Sequence, residues 1–190
     1  MPPEILSTLD LHDGWTKLRL VRVRLDTGDV VQREVEDHGN AVAVLPYDPI
    51  RRTALLVRVM RTPALLTAAR ATLLECPAGL VEEDDPAETA RREAHEEVGL
   101  KVRDLEHAGR VWTSPGISTE VMDLYLAPYG VADRTDPGGG LASEHENLEV
   151  VELSLDALWT MVERDEIDDL KTLTLLLTLR VRCPELFAVG

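Results

Sequence analysis

Asp85-Pro86-Ala87-Glu88-Thr89-Ala90-Arg91-Arg92-Glu93-Ala94-His95-Glu96-Glu97-Val98-Gly99 opens and closes with helix signals. Asp85 is an N-cap residue type whose carboxylate accepts from an amide of the first turn, Pro86 suits a first helical position that needs no N–H, and Gly99 supplies the stop. Between them Ala87, Ala90, Ala94 and Val98 recur at three- and four-residue spacing, an apolar face small enough to lie close to a sheet. Glu93, Glu96 and Glu97 fall together on a face expected to stand away from that stripe. Like charges so spaced destabilise a helix by roughly 0.2–0.5 kcal/mol per pair, so something must offset them. A hard divalent cation held by carboxylate oxygens and waters does so and suits phosphate chemistry. A solvated acidic face is the plainer alternative.

Working outward, residues 41–45 and 53–60 are apolar, β-rich runs separated by Tyr47-Asp48-Pro49, and residues 73–81 form a further run broken by Pro77 and Gly79. These are the expected central strands. Residues 17–25 nearly alternate basic and apolar, with a slip at Leu20-Val21 that reads as a bulge, before the turn Asp26-Thr27-Gly28-Asp29 and residues 30–36. The result is a β-hairpin with charged faces, either packed against a partner subunit or left as an exposed edge. Beyond the helix, residues 102–105, 121–126 and 148–153 read as strands, residues 155–164 and 169–180 as helices, and Pro137-Gly138-Gly139-Gly140 as a flexible connection without the G-K-[ST] ending of a phosphate loop. Locally paired strands with helices among them predict an α+β fold, a mixed sheet between helices. The expected division is a hairpin extension over residues 1–40 and a main domain over residues 41–190.

The 190 residues carry 20 Lys+Arg against 35 Asp+Glu, a net charge of −15 that repels nucleic-acid backbones. A phosphate-bearing partner therefore calls for divalent metal. Cys76 and Cys183 form no C-x-x-C pair or zinc spacing, and Cys76 is expected in the core. The start MPPEILSTLD has neither the basic region nor the apolar run of a signal peptide, which points to the cytoplasm, and no run is long enough to cross a membrane. His95 has no second histidine at metal spacing and is expected to be a surface or packing residue; Trp112 either borders a site or packs in the core, core packing being the expectation.

Residues 79–100 closely resemble the Nudix box, G-x5-E-x7-R-E-U-x-E-E-x-G-U with U apolar, and agreement is complete from Arg92 to Leu100. Toward its start the early glutamate of the family falls on Asp84, and the loop after Gly79 is one residue shorter. The resemblance extends over roughly residues 15–180. Arg58-Val59-Met60-Arg61, Pro77-Ala78-Gly79, Thr113-Ser114-Pro115-Gly116 with Glu120, and Gly140-Leu141-Ala142-Ser143-Glu144-His145-Glu146-Asn147 look like segments of the ADP-ribose and GDP-mannose pyrophosphatase branch.

That resemblance implies the Nudix fold (α/β/α) and Mg²⁺-dependent hydrolysis of a nucleoside diphosphate sugar, ADP-ribose foremost and GDP-mannose next, with Mn²⁺ as a substitute metal. By position it implies that Glu93, Glu97, the Ala78 carbonyl and Glu146 hold the metal, that Glu96 assists on the same face and that Glu144 activates the attacking water. Arg92 would pair with a neighbouring acid to fix the box, and Arg58, Arg61, Gly116 and Glu120 would meet the substrate. It further implies a homodimer whose N-terminal strands reach the partner's site. Taken as bare residues, Glu144 and Glu146 read as a solvated acidic loop, and Arg58 and Arg61 as often as surface salt-bridge partners. The competing function is a catalytically inactive sensor or binding module for a nucleotide sugar.

Overall fold

Residues 42–45 decide the core, because Val42, Ala43, Val44 and Leu45 are all wholly buried although alternate side chains of a strand point to opposite faces. Such a strand needs cover on both sides. The computed structural model describes residues 1–68, 70–82, 85–141 and 148–188. Its elements are β1 (Glu4–Asp13), β2 (Lys17–Arg24), β3 (Val30–Asp37), β4 (Asn40–Asp48), β5 (Thr53–Met60), α1 (Thr62–Ala68), β6 (Thr72–Glu75), β7 (Ala78–Val81), α2 (Pro86–Val98), β8 (Glu106–Trp112), β9 (Val121–Pro128), β10 (Glu149–Ser154), α3 (Leu155–Glu163) and α4 (Leu170–Arg182). The sheet runs β10-β5-β4-β9-β8, with β6 on β5 and β7 on β4. Val42, Val44, Leu55 and Val57 meet Ala90, Ala94 and Val98 of α2 in one core cluster. The opposite residues Ala43, Leu45, Ala54 and Leu56 are equally dry, with α3 packed on β10 and α4 on β6. This is the α+β arrangement anticipated.

The chain divides into two compact units, one formed by residues 42–109 and 123–190, the other by residues 1–41 and 110–122. In the smaller unit the expected hairpin closes at Gly28, whose φ of +94° favours glycine, but it gains a third strand, giving the order β1-β2-β3. β1 escapes a reading of polarity because nearly all of it is exposed; its extended form rests on pairing with β2. The slip at Leu20-Val21 is no bulge, since Leu20 faces Glu34 and Val21 faces Arg33 in unbroken register. The register shifts lie in β1 instead, between Ile5 and Ser7 and between Asp10 and His12.

Three other expectations change. Residues 102–105 are irregular, because Val102 and Leu105 pack into the core as coil after the Lys101 amide bonds to the Asp133 carbonyl at 2.9 Å. The run at 73–81 is two strands on different neighbours, parted at Cys76-Pro77. Trp112 is 58% exposed rather than in the core, whereas Cys76 is buried as expected. Among the described residues no helix is long and apolar enough to cross a membrane.

Candidate active site

The helix α2 carries the caps its sequence announces. Asp85 Oδ1 accepts from the Ala87 amide at 2.8 Å, and Gly99, at φ +72°, donates its amide to the carbonyls of Ala94 and His95. The carboxylates are not arranged as one solvated face. Glu93 and Glu97 are only 8% and 6% exposed and border the alanine stripe, while Glu96 lies further out. The reason is helical geometry: at about 100° per residue, Glu97 falls only about 20° from Ala90. Arg92 Nη1 bridges the helix surface, 3.0 Å from Glu93 and 3.3 Å from Glu96.

Glu93 is aimed at the start of β7. A Cβ added to Gly79 would meet the Glu93 Oε1 at 2.1 Å, so its carboxylate lies directly against Gly79. At the C-terminal end of α2, the glycine run is anchored rather than flexible. Gly139 and Gly140 donate their amides to the carbonyls of Glu97 and Glu96 at 2.8 and 3.1 Å, satisfying orphan groups of the last turn. Gly138, at φ +69°, passes so close that a Cβ would be 2.5 Å from the Glu97 carbonyl oxygen. The Leu148 amide returns to the Gly139 carbonyl at 3.2 Å. Both ends of the segment bearing Glu144 and Glu146 are therefore tied beside Glu97; Glu144 and Glu146, like Asp84, lie outside the described residues.

The two strand arginines part company. Arg58 Nε donates to exposed Glu149 at 3.2 Å on the neighbouring β10. Arg61 instead gives Nε and Nη2 to the two oxygens of Glu75, each at 2.8 Å. Glu75 is 2% exposed and also takes the Lys171 ammonium of α4. Burial alone would raise its pKa, but the Arg61 hydrogen bonds and the Lys171 charge hold the carboxyl below its ordinary value. Glu97 and Asp169 likewise add to the charge that keeps Arg61 protonated. A glutamate in the apolar run Leu73-Leu74-Glu75-Cys76 was the available signal for this cluster, since a buried charge demands partners; its partner 96 residues away was not visible.

Gly116 and Glu120 belong to the smaller unit. Gly116 has open space around it. Glu120 Oε1 stands 3.2 Å from His38 Nε2, and His38 Nδ1 is 2.5 Å from Glu36, with Trp15 stacked on the imidazole at 5.2 Å. His38 was not singled out from sequence. Burial alone would lower its pKa; the two carboxylates raise it above the ordinary value. His95, expected as a surface or packing residue, pairs with Asp136 at 2.9 Å.

Among the described residues no three Asp, Glu, His or Cys side chains come together as a metal cage. What α2 and β7 do offer is hard: two buried carboxylates and a backbone packed against one of them, a donor set suited to a hard divalent ion completed by carbonyl oxygen and water.

The NUDIX domain pattern matches residues 37–176. This chain belongs to the Nudix family. Nudix hydrolases generally use a divalent metal, and the oxygen-rich donor set of α2 and β7 fits that requirement. The Nudix chain is 37% identical to a GDP-mannose pyrophosphatase of Cronobacter sakazakii over 184 residues, covering 94% of this chain and 95% of that one. It is also 37% identical to a GDP-mannose pyrophosphatase of Klebsiella pneumoniae over 171 residues, covering 87% and 85%. A crystal structure of an ADP compounds hydrolase superposes with a TM-score of 0.79 over 97% of this chain and 96% of that one, at 19% identity, a likeness of fold.

Proposed function

We propose that this Nudix protein hydrolyses the diphosphate linkage of a nucleoside diphosphate sugar, giving a nucleoside monophosphate and a sugar phosphate. The observation that carries the reading is the buried pair Glu93 and Glu97, one carboxylate laid against Gly79. Against the expectation of ADP-ribose foremost, we take GDP-mannose as the first substrate and ADP-ribose as the second, a choice supported by the identity to GDP-mannose pyrophosphatases.

Glu93, Glu97, the Ala78 carbonyl and Glu146 would hold Mg²⁺, for which Mn²⁺ can stand in. Bound there, the ion polarises a phosphoryl oxygen and lowers the pKa of water. Glu144 takes the proton as the water oxygen bonds to phosphorus and the bridging P–O bond breaks. Glu96 assists at the outer edge of the same helix, and Arg92 braces Glu93 and Glu96. Arg58, half exposed, is the strand arginine open to a diphosphate, and Gly116 and Glu120 contribute to substrate binding. Arg61, committed to Glu75, contributes through its charge and its packing. We place the protein in the cytoplasm as a homodimer formed through its N-terminal strands.

The test is hydrolysis of GDP-mannose, ADP-ribose, UDP-glucose and a nucleoside triphosphate with Mg²⁺, beside Glu97→Gln. Turnover of a diphosphate sugar that disappears in the variant is expected. Tight binding of one sugar nucleotide without turnover of any would replace the enzyme with a sensor.

A further inference from the structure

Three successive residues at the junction of β6 and β7 are held from three directions. The Glu75 carboxylate is gripped by Arg61 at 2.8 Å on each oxygen and by Lys171. The Cys76 amide donates to Thr172 Oγ1 at 2.7 Å, and the Pro77 carbonyl accepts from the Val44 amide at 2.9 Å. Thr172 is wholly buried in the first turn of α4. Its own hydroxyl proton goes to Asp169 Oδ2 at 2.6 Å, which leaves its lone pairs for Cys76. Asp169 also caps α4 through the Thr172 amide at 3.0 Å and takes the Lys171 ammonium at 2.9 Å.

This clamp stands where the strand ladder cannot do the work. β6 ends at Glu75 and β7 begins at Ala78, so Cys76 and Pro77 lie outside both strands, and Pro77 has no N–H to give. The next two residues are Ala78 and Gly79, and the Glu93 carboxylate lies against Gly79. A ligand carbonyl must be held to about 0.5 Å to serve a cation, and the residues that support ligands commonly control affinity.

We propose that Thr172, seconded by Lys171, is a positioning residue for the divalent-cation site: from α4 it fixes the Ala78-Gly79 backbone relative to Glu93 and thereby sets cation affinity. The inference rests on the cation reading given above. It assigns to α4, a helix outside the box, a share in the metal chemistry.

The experiment is calorimetric titration of Mn²⁺ into the chelator-stripped full chain, with the melting temperature of each variant measured in EDTA. Thr172→Val keeps the shape and removes the acceptor of Cys76, and is expected to weaken Mn²⁺ binding by about tenfold or more, within the range seen when supporting residues are removed. Thr172→Ser, which keeps the hydroxyl, restores binding. Should Thr172→Val fail to fold, Lys171→Met, which leaves the hydroxyl in place but loosens Glu75, is expected to weaken binding in the same direction. A lowered melting temperature with Mn²⁺ affinity equal to wild type overturns the proposal and leaves Thr172 a structural residue. Glu97→Gln is the control for the underlying reading: if it binds Mn²⁺ as tightly as wild type, the cation site itself is misplaced and the proposal falls with it.

Discussion

Gly79 and Glu93 occupy each other's space: a Cβ on the glycine would stand 2.1 Å from Oε1 and 2.3 Å from the carboxyl carbon of the glutamate. The obstructing atoms end a flexible side chain, so an alanine is accommodated by swinging the carboxylate off the β7 backbone. Gly79→Ala is expected to lower kcat on the preferred sugar nucleotide by about a hundredfold, as misplacement by about 1 Å does in a positioned site. The melting temperature in EDTA should move by only a few degrees. Unchanged kcat would show that the contact does not matter to the reaction.

Glu75 answers for the stability of the buried charge cluster. Glu75→Gln leaves Lys171 buried with half its compensation, and urea unfolding near neutral pH should show a loss of about 3–5 kcal/mol. Because the folded-state pKa of Glu75 lies below the ordinary 4.5, its contribution is complete above pH 4.5 and is lost as pH falls through the lowered value. The gap between wild type and variant should therefore close on acidification below that point. A gap that stays constant would rule out the ionised carboxylate as its source.

Much of this site can be read along the chain, and the unread part has a physical reason. Asp85, Pro86 and Gly99 act within one helix, and their caps follow from residue type and local spacing. Ala90, Ala94 and Val98 mark a core face for the same reason. Thr172 and Cys76 are 96 positions apart, and neither carries a signal of the other. Val102 and Leu105 mislead in the opposite sense, since burial gives coil and strand the same apolar signature. Helix α1 had one overlooked cue, Pro63 in its first turn. Glu97 was expected on a face away from the alanine stripe, yet its burial beside Ala90 follows from the helical angle alone.

In the smaller unit, His38 bridges Glu36 and Glu120 and has a pKa above the ordinary 6.5. A raised histidine stabilises below its unfolded value and loses that contribution as pH rises through the folded one. His38→Gln should cost about 1–2 kcal/mol at acidic pH, and the deficit should shrink as pH rises from about 5 to 9. Parallel melting curves of wild type and variant across that interval would count against an imidazolium bridge.

The proposed dimer has a defined surface to test. Ile5 and Leu9 of β1 are 69% and 59% exposed, more apolar area than an isolated edge strand needs. Leu9→Glu is expected to shift sedimentation from dimer toward monomer. It is a cleaner probe than reversing Arg22 and Arg24 together, because Arg24 also pairs with Glu4 at 2.5 Å inside the β1–β2 ribbon. Sedimentation as dimer in the variant would move the interface elsewhere.

The bond from the Leu148 amide to the Gly139 carbonyl gives residues 140–147 a common point of departure and return. With the exit fixed there and Gly139 itself fastened to α2, a longer or shorter insert would leave the box helix where it is. Doubling the length of such an insert adds only about 0.6 kcal/mol of closure entropy. The fastenings of the box helix at this end are thus made by Gly139, Gly140 and Leu148 and not by the residues between Leu141 and Leu148.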